Sequence, residues 1–114
     1  MPRVLSQSRC FVFTTTSGAQ ARSVLADVRP DLVVLEIMLP DEDGLLLCSD
    51  ITQSGTSVLV CTATRRKRDR VLALRLGARD FIQKPFDVYE LGARLDRALG
   101  RRPGRLSTSE MPGG

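Results

Sequence analysis

Histidine and tryptophan are absent from this 114-residue chain, and it has a single tyrosine. Without histidine, the common zinc ligand sets and the nucleophile–histidine pairs of hydrolases are excluded. No acidic residue precedes Asp27. No apolar run approaches the roughly 18 residues that span a bilayer. The opening Met-Pro-Arg-Val-Leu-Ser-Gln-Ser holds no apolar stretch of signal-peptide length. A cytoplasmic protein without a membrane partner is expected. Cysteine is scarce, and Cys10, Cys48 and Cys61 are odd in number, widely spaced and set in apolar segments. Buried reduced thiols are the reading.

What is present is ordinary for a soluble fold, at 42% hydrophobic and 26% charged residues. The length allows one domain. The net charge of +4 comes almost wholly from arginine. It permits attraction to nucleic acid or to acidic partners without requiring either. Cys10 to Thr15 is aromatic and β-branched and reads as a strand. Ser17-Gly-Ala-Gln20 reads as a capping box, opening a helix to about Val28 with Ala21, Val24, Leu25 and Val28 on one face. Leu32–Leu35 and Val58–Cys61 are short, wholly apolar runs, as in strands buried on both faces. Between them Leu45–Gln53 reads as a helix. Lys67–Leu76 follows, with Gly77 placed for its C-terminal cap. Phe81-Ile82 is a short strand. Val88–Leu99 is amphipathic through Val88, Leu91, Leu95, Ala98 and Leu99. From Gly100 the chain turns linker-like, so residues 1–9, 10–99 and 100–114 divide into an N-terminal segment, a domain and a disordered tail.

Strands alternating with helices at this spacing imply parallel β-α-β units in an α/β layered fold. Sites in such sheets form at the carboxyl ends of strands. Glu36, Thr62 and Lys84 each stand at or just past such an end, which points to one convergent site.

Several motifs occur in order: Met38-Leu39-Pro40, Asp43-Gly44, Thr62-Ala63, Leu76-Gly77-Ala78 and Lys84-Pro85-Phe86. Across roughly Cys10 to Leu99 the chain closely resembles receiver domains of two-component response regulators. The nearest resemblance is to the subfamily joined to winged-helix DNA-binding domains. The resemblance implies a flavodoxin-like fold with a parallel sheet flanked by helices. It implies a phosphorelay role in transcription regulation, with a sensor histidine kinase as partner. By the same resemblance Glu36 stands where the family keeps its phosphoacceptor aspartate. Thr62 would bond a phosphoryl oxygen and Lys84 would pair with it, across a Lys84–Pro85 bond that is cis in the family. Phe81 stands at the switch aromatic that turns inward on activation. Arg70, Asp80, Glu90 and Arg94 match a homodimer face, with Arg70–Glu90 and Asp80–Arg94 as intermolecular pairs.

Two departures qualify the resemblance. Glutamate replaces the acceptor aspartate, and the family's first strand–helix unit, with the acidic pair that binds magnesium, is not recognisable. Val4-Leu5 resembles the start of that strand. The link to Cys10 is too short for the dozen or more residues that a parallel crossover needs. Loss of the first helix is expected to uncover part of the Leu91, Leu95 and Ala98 stripe. Asp41, Glu42 and Asp43 read as a solvated turn.

These departures shape the chemistry. Phosphoryl transfer needs magnesium to neutralise developing charge, and one carboxylate is a poor magnesium site. No metal, no cofactor and no catalytic residue is therefore assigned, magnesium being expected only in an intact family member. Glu36, one methylene longer than aspartate, either forms a structural ion pair with Lys84, mimics the phosphorylated state, or accepts a phosphoryl group. A degenerate receiver acting by protein–protein contact, and not an enzyme, is the leading reading. The alternatives are a phosphorylatable receiver whose true start lies upstream of Met1, and a basic nucleic-acid-binding module built on Arg65–Arg70. Against the last, no stacking platform or recognition helix is visible.

Overall fold

The structure, a computed structural model, describes residues 3–4 and 11–100. The expectations for Cys10, for the rest of the N-terminal segment and for a disordered tail after Gly100 lie outside the described residues. The elements are β1 (Arg3–Val4), β2 (Phe11–Thr15), α1 (Gly18–Asp27), β3 (Leu32–Leu35), α2 (Gly44–Gln53), β4 (Ser57–Thr62), α3 (Lys67–Arg75), β5 (Asp80–Gln83) and α4 (Val88–Ala98). They form one sheet in the order β1-β2-β3-β4-β5. Strands β2 to β5 are parallel, with Thr15 level with Leu35, Leu35 with Val60, and Thr62 with Gln83. β1 lies antiparallel on β2, as a link too short for a crossover requires. A flavodoxin-like sheet runs 2-1-3-4-5, and the four parallel strands show the order that remains when strand 1 is taken out of it.

That order dictates where the helices go. Right-handed crossovers between strands laid down in sequence put every connecting helix on the same face. Ala21, Val24 and Leu25 of α1, Leu47, Cys48 and Ile51 of α2, and Ala73 of α3 accordingly share one core with Phe13, Val33, Leu35, Val58, Val60 and Phe81. Alternation along each strand sends Val12, Leu32, Leu59, Cys61 and Ile82 to the opposite face, where Leu95 and Ala98 of α4 cover them.

Several local readings change on inspection. The Ser17 hydroxyl caps α1 by accepting from the Gln20 N–H at 3.2 Å. The reciprocal arm of the capping box is missing. The Ser17 N–H goes instead to Thr15 Oγ1, and the Gln20 side chain takes the Thr15 hydroxyl. Val28 is the C-cap of α1 and is exposed, because the backbone turns extended there before Pro30. Leu95 and Ala98 are only 2% and 5% exposed, so these two positions of the α4 stripe are not uncovered as expected, while Leu91 is only partly buried. Among the described residues α4 is the one helix on this face, and it packs directly on the sheet. Gly77 closes α3 at φ +112° as expected.

Candidate functional site

The carboxyl ends of the parallel strands bring Glu36 and Lys84 together. Glu36 follows β3 and Lys84 follows β5, and Glu36 Oε1 accepts from Lys84 Nζ at 3.2 Å. The other carboxylate oxygen accepts the Met38 N–H at 2.8 Å. The Glu36 side chain is 12% exposed and the Lys84 side chain 41%, so the pair sits at a boundary, with the acid as the better shielded partner. The Lys84 backbone N–H reaches the Thr62 carbonyl at 2.9 Å, and the Lys84–Pro85 peptide is cis.

Thr62 is not joined to the pair through its side chain. Its side chain is fully buried, and its hydroxyl accepts the Thr64 N–H at 3.3 Å, closing the turn into α3. Among the described residues no hydrogen bond joins it to Glu36, so the three-way contact expected from the strand ends reduces to Glu36 and Lys84. A hollow of about 300 Å³ opens beside the pair, bordered by Thr15, Thr16, Gln20, Cys61 and Phe86. Burial pushes the Cys61 thiol up, opposed by the Lys84 charge, and pushes Cys48 up to about 11. Both thiols are free and buried, and a thiol held protonated is a poor nucleophile.

Magnesium requires oxygen ligands in a near-octahedral set, commonly one or two carboxylates with water. The strand end beside Glu36 carries Thr14-Thr15-Thr16, and Thr15 Oγ1 is bonded to the Ser17 carbonyl at 2.7 Å. Among the described residues no cluster of three acids, cysteines or histidines could hold a metal. The described residues around Glu36 do not fit the ion.

The three acids of the following turn are structural, not merely solvated. Asp41 caps α1 from 22 residues away in sequence, its two oxygens taking the Gly18 N–H at 3.0 Å and the Ala19 N–H at 2.9 Å. Those N–H groups, Ala19 first, hold its carboxyl below the ordinary value of 3.8. Glu42 pairs with Arg22 at 2.8 Å, and Arg22 also reaches Asp50 of α2 at 3.0 Å. Asp43 caps α2 through the Leu45 N–H. Nothing local announces the Asp41 and Glu42 contacts, which join segments that only the fold brings together. A carboxyl whose pKa is lowered by folding adds stability above its unfolded value and loses it as pH falls through the folded one. Asp41→Asn should therefore lower the melting temperature near neutral pH. The gap to wild type should close as pH drops below about 4, and a gap independent of pH would count against the cap.

The residues of the expected dimer face fall differently. Asp80 and Arg94 pair within the chain, Arg94 Nη1 reaching both carboxylate oxygens at 2.8 and 2.9 Å. Arg94 Nε lies 3.6 Å from Glu90. The Asp80–Arg94 bond expected between copies is thus satisfied internally, because α4 crosses β5 on that side. Arg70 is exposed and has no ion pair among the described residues. Phe81 is 9% exposed and turned into the core of α1 to α3.

No helix of the described residues is long and apolar enough to cross a membrane. Residues 1–96 match the response regulator receiver domain family. The chain is 37% identical over 109 residues to the alkaline phosphatase synthesis transcriptional regulatory protein PhoP of Bacillus subtilis, covering 94% of this chain and 45% of that protein. It is 41% identical over 102 residues to response regulator MprA of Mycobacterium sp. strain KMS, covering 88% of this chain and 44% of that one. The chain thus spans less than half the length of these relatives. Its fold superposes on the BeF3-activated N-terminal receiver domain of Klebsiella pneumoniae RstA with a TM-score of 0.67 at 36% identity, covering 75% of this chain and 74% of that one. For the receiver domain of the TMAO respiratory system response regulator TorR the TM-score is 0.69 at 33% identity, covering 75% and 72%. Fold, ordered motifs and relatives agree: the chain belongs to the family of response regulator receiver domains.

Proposed function

We propose that this receiver domain is degenerate and works by protein–protein contact, with Glu36 standing in for part of a phosphoryl group. The carrying observation is the 3.2 Å contact between Glu36 Oε1 and Lys84 Nζ. The cation that would meet a phosphoryl oxygen already holds a carboxylate oxygen. Inward burial of Phe81 at 9% exposure supports an active-like arrangement. The mimicry is partial. A carboxylate brings one negative charge where a phosphoryl group brings roughly 1.5 to 2, and Thr62 takes no part.

On this reading the domain performs no chemical step of its own and works in the cytoplasm. A sensor histidine kinase would meet a site without a metal cage and with its lysine engaged. The names of the relatives as transcriptional regulators support a role in controlling transcription. The link would be made through whatever the domain contacts.

The test is a double-mutant cycle with Glu36→Gln and Lys84→Met, measured by chemical denaturation. A pair at the protein boundary should show a coupling of about 1 kcal/mol. A coupling within error of zero would leave Lys84 available to a phosphoryl group and remove the basis of the reading.

A further inference from the structure

The connecting helices α1, α2 and α3 lie together on one face of the sheet and leave the other to α4, whose cover is incomplete. Val34, Phe86 and Leu91 pack against the core of that face, yet each is only partly buried. With Cys61 they floor the hollow of about 300 Å³ beside the Glu36–Lys84 pair. That volume is at the lower end of the range for small-molecule pockets and has room for about ten waters. Water there lies against apolar side chains, and covering them is favourable.

The rim has the opposite character. Thr14 and Thr16 are exposed at the end of β2, and a hydroxyl both donates and accepts. Gln20 accepts the Thr15 hydroxyl through its amide oxygen, which leaves its NH2 group to donate. Lys84 and Glu36 stand 3.2 Å apart, so their charges offset each other. The hollow therefore has an apolar floor and a rim that is polar without net charge.

We propose that this hollow binds a small uncharged aromatic molecule carrying a hydroxyl or amide group. Its ring would lie on Val34, Cys61 and Leu91 and meet the Phe86 ring. Its polar group would bond to Thr14, Thr16 and Gln20. A carboxylate or ammonium head fits poorly, because one member of the ion pair repels it. A helix of another protein fits poorly too, since a cylinder about 10 Å across fills that volume in less than one turn. This inference rests on the reading of Glu36 and Lys84 as a pair, because the neutrality of the rim depends on it.

The test follows the nitrogen-labelled full chain by NMR during titration with phenol, benzyl alcohol and benzamide. Benzoate and benzylamine serve as the charged counterparts. Saturable shifts at the backbone amides of Val34, Cys61 and Leu91 are expected for the uncharged probes. A dissociation constant of about a millimolar suits ligands of this size, and the charged probes should bind about tenfold more weakly. Thr14→Phe, which puts a ring at the rim, should weaken binding about tenfold or more. Leu46→Phe, at an exposed position of α2, should leave it unchanged. Both positions are exposed, and an unchanged circular dichroism spectrum confirms that the variants fold. No saturable shift with any probe would overturn the proposal and leave the reading of the pair to its own double-mutant cycle. Equal binding by wild type and Thr14→Phe would overturn it as well. So would tighter binding of benzoate or benzylamine, which would in addition count against a closed Glu36–Lys84 pair.

Discussion

Gly44→Ala should cost about 3 kcal/mol or more of folding stability. A Cβ at Gly44 would collide with the Ile37 backbone, at its Cα, carbonyl carbon and carbonyl oxygen. A side chain could swing away from such a collision, but backbone can yield only by moving the turn. That turn carries Glu36 at one end and the α2 cap, Asp43, at the other. Relief by movement would therefore disturb the Glu36–Lys84 contact as well. Gly55 provides the control, because a Cβ there meets nothing within 4 Å. Its φ of +97° still carries a penalty for a non-glycine residue, though a smaller one. Denaturant midpoints of the two variants should separate clearly, with Gly44→Ala the lower. A Gly44→Ala protein within about 0.5 kcal/mol of wild type would mean that the turn does not approach α2 as described.

The second large effect lies on the other face of the sheet. Leu95→Ala should cost about 3 kcal/mol, because Leu95 is 2% exposed and meets Val12, Leu32, Leu59, Cys61 and Ile82. Among the described residues α4 is the one helix on that face, so no neighbouring helix can close the cavity. A loss of that size is a large share of the 5–15 kcal/mol typical of a small domain. Leu72→Ala, at 37% exposure on α3, should by contrast change stability by about 0.5 kcal/mol or less. Similar losses at the two positions would contradict the placement of α4. The comparison also settles how Leu95 is used. A substitution there tests the fold rather than a surface for self-association.

The contrast between legible and hidden features has a physical basis. Apolar runs such as Leu32–Leu35 and Val58–Cys61 announce buried strands because their neighbours on both faces are fixed by the layer architecture. Gly77 marks the end of α3 because its positive φ is a local demand. The convergence of Glu36 and Lys84 could be read because both stand at carboxyl ends of parallel strands, and the motif order around them pointed to the family. The Asp41 cap could not be read, since its partners at Gly18 and Ala19 lie 22 or more residues away. Thr62 reads as a third site residue because its position along β4 is right, yet among the described residues its hydroxyl accepts the Thr64 N–H and makes no bond to Glu36. The expected opening of the α4 stripe does not occur at Leu95 and Ala98, which pack in the core of that face. The sheet order shows that α4 packs straight onto the strands. Phe81 shows the limit of pattern from the other side, since an aromatic in a strand reads equally as core and as switch.

Phosphoryl loading tests the central claim most directly. The chain would be incubated with magnesium and a small-molecule phosphodonor, alongside its Glu36→Gln variant, and intact masses measured. The account expects no phosphoryl adduct on either protein, because Glu36 is bound to Lys84 and the Met38 N–H and the strand end beside it offers hydroxyls in place of a metal cage. An adduct of one phosphoryl group on the wild-type chain, absent from Glu36→Gln, would contradict it and make Glu36 a working acceptor.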